Sequence, residues 1–443
     1  MKVLKFGGTS LGKPDRMHHV ASLITNDDVP KLVVLSAIAG TTNALVNIDQ
    51  ALGAGEKEKA AELIDDLYAH YQGFIQNLYQ HTDALEKANT VIKEHFDLIR
   101  SFPDQAYQPQ FEKDILARGE LLSTQLFTIY LKEKGISVRL LPALDFMSID
   151  VHQEPDIEAI EHKLKALISA NKGCGLFITQ GYICLNHQGN IDNLKRGGSD
   201  YTASLIGAAL KAEEVQIWTD IDGMHNNDPR IVEKTFPVSR LSFDEAAELS
   251  YFGAKILHPA SIWPVQKYNI PVRLLNTMQP DAPGTFISKS TSEDEIKAIA
   301  AKDGIVAIKI KSSRMLLAYG FLRKVFEVFE KYRTPIDMIT TSEVAVSLTI
   351  DDSTNLQEIH QELRAFGKVE IDRDQTIICI VGAKVSENRG VVRKVFDSID
   401  RVPIRMISFG GSKNNISFLI DTKFKKAVLD RLNIGLFSID LIE

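Results

Sequence analysis

The stretch VLKFGGTSLGKP, Val3 to Pro14, runs from an apolar strand pattern ending at Phe6, through paired glycines, toward a helical pattern at His18 to Thr25. Adjacent glycines at such a junction let backbone N–H groups face an anion with no Cβ between them. The helix start adds its positive dipole end. Lys5, just ahead of the loop, can set a point charge on phosphate oxygens. Gly7 to Lys13 even fits G-x-x-x-x-G-K, but Pro14 follows, and the hydroxyl that holds magnesium in a P-loop is absent. On these residues alone two readings stay open: a phosphate cradle or a tight strand-to-helix turn.

Outward from this stretch, apolar runs at Lys31 to Ser36, Ser137 to Leu141, Leu176 to Gln180, Val215 to Thr219 and Val272 to Leu275 read as further strands. Several lack polar alternation, as strands covered on both faces do. Helical patterns lie between them, including Glu56 to Ile99, Phe111 to Lys134, Ile157 to Ala170, Asp200 to Leu210 and Phe243 to Ser250. This alternation predicts an α/β domain with a mainly parallel sheet, whose ligands bind at the carboxyl ends of the strands. The turn-rich stretches Asn276 to Thr285 and Ser288 to Glu295 form a seam. Beyond it GFLRKVFEVFEKYRTPIDMI is echoed by GVVRKVFDSIDRVPIRMI, so a unit of about 70 residues with order βαββαβ occurs twice. The second copy takes its last strand either from Phe437 to Ile442 or from Ile296 to Ala300. The expected division is 1–285 catalytic, 286–302 a linker able to supply that shared strand, 303–373 the first small module and 374–443 the second.

At 443 residues the chain needs more than one core, and its net charge of −7 argues against nucleic acid or an anionic membrane as main partner. No apolar run reaches the length of a membrane span, and MKVLKFGG has no signal-peptide core. Cys174, Cys184 and Cys379 sit in apolar runs and are expected as buried, reduced thiols. A cytoplasmic protein follows from these features.

Other stretches carry chemistry. Ser36-Ala37-Ile38-Ala39-Gly40-Thr41-Thr42-Asn43 follows a strand, where small and hydroxylated residues approach a ligand or cap the next helix. Glu120, in ARGELLST, is a carboxylate among small and apolar residues and needs a partner, either a substrate ammonium or a structural arginine. Asn193 to Thr202, NLKRGGSDYT, joins a guanidinium suited to carboxylate to a Gly-Gly turn, a serine and an aspartate at a helix start. Asp200 serves there as a helix cap or as part of a site. Trp218 to Arg230 has the character of a loop over a nucleotide, and Phe252 to Pro259 offers a second lysine beside a glycine. The His18-His19 pair lacks metal-ligand spacing, and HExxH, GxSxG and GxGxxG are absent.

In this order, KFGGTS, VVLSAIAGTTN, ARGELLST, KRGGSDYTASLIGAAL, IWTDIDGMHNNDPR and FGAKILHP resemble the aspartate kinases of the amino-acid kinase family. DMITTSEVAVSLTID resembles the tandem ACT domains of the monofunctional enzymes, nearest the lysine-sensitive type. The resemblance implies a three-layer αβα kinase domain followed by two ACT domains of ferredoxin-like βαββαβ fold. It implies transfer of the γ-phosphoryl of ATP, carried with Mg2+, to the side-chain carboxylate of L-aspartate, the first step toward lysine, threonine and methionine. A resident metal is not expected. Catalysis would fall to Lys5, Gly7, Gly8 and Asp200. Aspartate would be held by Ser36, Thr42, Glu120, Arg196 and Ser199. The nucleotide would be held by Lys5, Gly7, Gly8, Thr219, Asp220, His225, Arg230 and Lys255, with His225 standing where a tyrosine is common. Met315, Phe321, Leu322, Asp337, Ser342 and Glu343 fall at effector positions for a regulatory amino acid, lysine, and Asp337 and Glu343 suit a cation. Leu317, Ala318 and Pro335 depart from the polar residues of lysine sensors. A homodimer or dimer of dimers through the ACT domains is expected. The rival readings are another kinase of the same family and an inactive amino-acid sensor.

Overall fold

The computed structural model describes residues 1–194, 197–253, 257–290, 296–312, 319–388 and 390–437. The chain divides into two compact units, Met1–Met224 with Leu257–Lys289, and His225–Ile256 with Ser290–Glu443.

In the first unit the strands lie side by side in the order Arg139–Leu140, Leu176–Gln180, Lys31–Leu35, Lys2–Phe6, Val215–Thr219, Val272–Asn276 and Thr285–Ser288. All neighbours are parallel except the last pair. All five residues of Lys31–Leu35 are buried, because helices cover both faces. Leu4, Phe6, Val33 and Leu35 share a core with the helices Pro14–Ile24, Thr41–Gly53, Lys57–Leu78, Thr82–Ser101 and Pro109–Glu133. Alternation along each strand turns Val3, Lys5, Leu32 and Val34 to the other face, where the helix Gly198–Leu210 contacts the strands. The helices Ile157–Ala170 and Pro259–Lys267 flank that helix. The result is a three-layer αβα body. The region Glu56 to Ile99, expected to be helical, holds two helices, Lys57–Leu78 and Thr82–Ser101.

The second unit contains an antiparallel sheet in the order Ile339–Thr341, Ala345–Ile350, Ile296–Lys311, Lys368–Gly382, Asn415–Asp421, Met406–Phe409. Val306 to Lys311 pairs with Ala345–Ile350 and with Lys368 to Asp372, closing one βαββαβ module around the helices Phe321–Lys331 and Leu356–Leu363. Ile296 to Lys302 pairs instead with Ile377 to Gly382 and completes the other module, with the helices Val391–Ser398 and Lys425–Phe437. The question left open by the sequence is thus answered for Ile296–Lys302. Phe437 ends a helix, and residues 438–443 lie outside those described. A register shift between Lys302 and Ile305 marks where the strand passes from one module to the other.

Residues 225–256, expected within the catalytic domain, cluster by contacts with the second unit. The cause is burial: Val232 joins the core formed by Ile299, Ile378, Phe418, Val428 and Leu432. Asn226 Nδ2 also donates to Asn433 Oδ1 at 2.9 Å. A capping box, Ser242 with Glu245, starts the helix Phe243–Tyr251 of this segment.

Among the described helices none is long and apolar enough to cross a membrane. The three cysteines are free, with Cys184 and Cys379 buried and Cys174 half-buried. Burial pushes the Cys184 thiol up to about 12.

Candidate active site

The parallel strands of the first unit end on a common edge. From Phe6 the chain turns through Gly7 and Gly8 into the short helix Gly8–Leu11. A Cβ on Gly8 would stand 2.8 Å from the Ala37 carbonyl oxygen, and one on Gly7 would stand 3.4 Å from Lys5 Nζ. Gly8 therefore permits an approach of two backbones that a side chain would not allow, whereas a Cβ at Gly7 would make only ordinary contact. The loops are tied by Ser36 N–H donating to Phe6 O at 3.2 Å and Ala39 N–H to Gly8 O at 3.2 Å. Gly7 N–H donates to Trp218 O at 3.4 Å, a long bond.

Lys5 Nζ lies 2.7 Å from Asp200 Oδ1, and the two side chains are 13% and 16% exposed. Asp200 sits in the first turn of Gly198–Leu210, where the helix dipole favours an anion. Gly197 and Gly198, at φ +76° and +50°, make the sharp entry that aims that turn back at Lys5. An ammonium held this way has a fixed direction and retains donors for another anion.

Beside this pair, Ser36 Oγ donates to Ser199 Oγ at 2.9 Å, and Ser123 Oγ donates to Ser36 O at 2.7 Å. Glu120, 5% exposed, accepts from Ala37 N–H at 3.2 Å. Burial pushes its carboxyl up to about 8, with the Ala37 hydrogen bond opposing the rise. Its helix is pressed against the Ala37 loop at Gly119, whose Cβ would fall 2.8 Å from Ala37 Cβ. Thr42 is exposed in the first turn of Thr41–Gly53, whereas Thr41 is buried and hydrogen-bonded to Tyr71 Oη at 2.9 Å. Arg196 lies outside the described residues.

Gly181 and Tyr182 here escaped the sequence reading. Gly181 follows the strand Leu176–Gln180, and a Cβ on it would meet Ser199 Oγ at 2.2 Å. Tyr182 adopts φ +67°, and its N–H donates to Thr202 Oγ1 at 2.8 Å. Burial, reinforced by the charge of Glu120, pushes its phenol up to about 12. Positive φ at a bulky residue is costly and clusters at functional sites. Ser10 Oγ, in the short helix Gly8–Leu11, and Thr277 Oγ1, just past the strand Val272–Asn276, lie 2.7 Å apart and buried, and His19 Nε2 donates to Thr277 O at 2.7 Å.

Of the expected nucleotide residues, Thr219 donates to Asp220 Oδ1 at 3.1 Å at the end of its strand, with Asp220 exposed. His225 and Arg230 belong to the second unit. His225 Nδ1 is 2.8 Å from Thr235 Oγ1, and Arg230 clasps Asp228 through two bonds of 2.9 and 2.7 Å. Lys255 lies outside the described residues. Among those described, no group of three or more His, Cys, Asp or Glu can hold a metal ion.

Of the expected effector residues, Phe321 and Leu322 are half-buried at the start of Phe321–Lys331, while Ser342 and Glu343 form an exposed turn. The Asp337 side chain is buried and paired with Lys302. Met315, with Leu317 and Ala318, lies outside the described residues.

Residues 1–276 match the amino acid kinase family and residues 378–433 match the ACT domain. The chain is 33% identical to lysine-sensitive aspartokinase 3 of Escherichia coli, over 98% of this chain and 99% of that protein. It is 35% identical to the chloroplastic aspartokinase 3 of Arabidopsis thaliana, over 100% of this chain and 82% of the relative. Among solved structures, E. coli aspartokinase III in complex with aspartate and ADP, in the R-state, superposes with a TM-score of 0.86 at 34% identity, covering 99% and 100% of the two chains. The same enzyme with lysine and aspartate, in the T-state, gives 0.80 over 99% of each chain. The chain belongs to the amino acid kinase family, among the aspartokinases that carry ACT domains.

Proposed function

We propose that this protein is an aspartate kinase. It passes the γ-phosphoryl of ATP to the side-chain carboxylate of L-aspartate and releases 4-phospho-L-aspartate and ADP. The observation that carries this reading is Lys5 held by Asp200 beside the Gly7-Gly8 turn, with the buried carboxyl of Glu120 one loop away. The acceptor carboxylate, with a reference pKa of about 3.9, is already ionised at neutral pH, so the site needs no strong base. Its task is to bring two anions together. A carboxylate oxygen attacks the γ-phosphorus, and the bond to the β,γ-bridging oxygen breaks with its electrons going to ADP. Lys5 and the glycine turn offset charge on the transferring group, and Asp200 keeps the Lys5 ammonium in direction. Glu120 receives the substrate ammonium, Arg196 clamps the α-carboxylate, and Ser36, Thr42 and Ser199 line the pocket. Thr219, Asp220, His225, Arg230 and Lys255 attend the nucleotide. Magnesium arrives with the ATP phosphates as part of the substrate.

The second unit makes the enzyme responsive to an amino acid, with lysine the effector bound through Asp337 and Glu343. The relatives with lysine sensitivity and with lysine bound support this. Exposed apolar residues on an edge strand, Ile407 and Phe409, support assembly through the ACT modules into a dimer or dimer of dimers. We place the enzyme in the cytoplasm, at the head of lysine, threonine and methionine formation. Incubation with ATP, aspartate and hydroxylamine should trap the acyl phosphate as its hydroxamate, with no signal from glutamate or acetylglutamate. No hydroxamate from aspartate would refute the activity.

A further inference from the structure

Asp337 has a resident cation. Lys302 Nζ lies 2.7 Å from its Oδ1, and Tyr251 Oη donates to the same oxygen at 2.8 Å. The side chain is 1% exposed, and Oδ2 has no hydrogen-bond partner. Burial pushes the carboxyl above the usual carboxylate range, with Lys302 opposing the shift. A buried carboxylate with every donor on one oxygen is an incomplete arrangement. Lys302 also lies 2.8 Å from Asp351 Oδ2, on a side chain 37% exposed, and 4.5 Å from the centroid of the Tyr251 ring. Thus one ammonium serves two carboxylates and an aromatic face, and it stands where the strand Ile296–Lys311 changes module.

We infer that a cationic amino acid binds Asp337 by exchange with Lys302. The incoming ammonium pairs with the Asp337 carboxylate, and Lys302, repelled by the like charge, withdraws to Asp351. This rests on the proposed effector role of Asp337 and adds to it an internal competitor that sets effector affinity. The exchange has a local consequence. Losing Lys302 removes the cation from the Tyr251 ring at the end of Phe243–Tyr251, a helix whose exit is fixed at Gly253. There a Cβ would stand 2.2 Å from the Ala301 carbonyl, one residue before Lys302.

The test is calorimetric titration of L-lysine into the full-length enzyme and two variants, each with a kinase assay in parallel. Lys302→Gln removes the competitor and should lower the half-saturating lysine concentration about tenfold or more. Asp351→Asn removes the place of retreat and should raise it several-fold. An unchanged or higher value in Lys302→Gln overturns the exchange. Should that variant not fold, an unchanged or lower value in Asp351→Asn overturns it instead. Lysine binding absent from both the wild type and Lys302→Gln would sink the effector reading separately, whereas binding absent in the wild type and gained in Lys302→Gln would establish the exchange.

Discussion

Lys5 and Asp200, separated by nearly two hundred residues, form an ion pair of 2.7 Å at the end of the central strand and the start of a helix. The pair is mostly buried, at 13% and 16% side-chain exposure, which sets it apart from an exposed surface ion pair. Lys5→Ala should lower kcat by a factor on the order of 10² to 10⁴ and leave the circular dichroism spectrum unchanged. Near-normal turnover would remove Lys5 from the reaction.

The carboxyl of Glu120, pushed up to about 8, makes aspartate binding depend on pH. Below that value the group is mostly protonated in the free enzyme, and a substrate ammonium is best held by the ionised form. The KM for aspartate should therefore fall from pH 6 to pH 8. The stability effect has the opposite sense. The unfolded chain can ionise from about 4.5, the folded chain near 8, so across that window stability is withdrawn as pH rises, by about 1.4 kcal/mol per unit. Glu120→Gln should flatten this slope and raise the KM. A KM with no pH dependence in the wild type would exclude the proposed role.

Gly181 has no room for a methyl group because Ser199 Oγ would lie 2.2 Å from it. Gly181→Ala should displace Ser199 and its bond to Ser36, costing about 1 to 3 kcal/mol of stability and raising the KM for aspartate more than it lowers kcat. Thermal melting and steady-state kinetics would measure both. An unaltered KM would separate Ser199 from substrate binding.

Gly253, at φ +120°, carries a comparable restriction against Ala301. Gly253→Ala should destabilise the second unit by about 2 kcal/mol or more, through backbone strain and the clash together. Denaturant unfolding would register this as a lower midpoint, and an unmoved midpoint would contradict the close approach.

The strands were legible because Leu32 to Leu35 and their neighbours are apolar without alternation, as burial on two faces requires. Lys5 and Asp200 were legible because each adjoins a Gly-Gly turn. Gly181 and Gly119 were not. A glycine's need for space is defined by the residues that arrive against it, Ser199 and Ala37, which lie elsewhere in the chain. Tyr182 carried no signal, since its residue type predicts negative φ. The packing of 225–256 was not legible, because local periodicity reports that Val232 is buried, not which core receives it. Asp337 was identified as a carboxylate suited to a cation, but its present partners, Lys302 and Tyr251, are 35 and 86 residues away.

The strand Ile296–Lys311 completes one regulatory module with its first half and begins the other with its second. Two duplicated modules joined in this way are no longer cassettes. A graft of residues 374–437 into another enzyme would arrive without the strand that pairs with Ile377 to Gly382, and would present an open sheet edge in its place. Exchanging that module to alter regulation therefore requires transplanting two separated pieces of chain. The duplication has become an indivisible pair, so changes in response must arise by substitution within it rather than by replacement of one half.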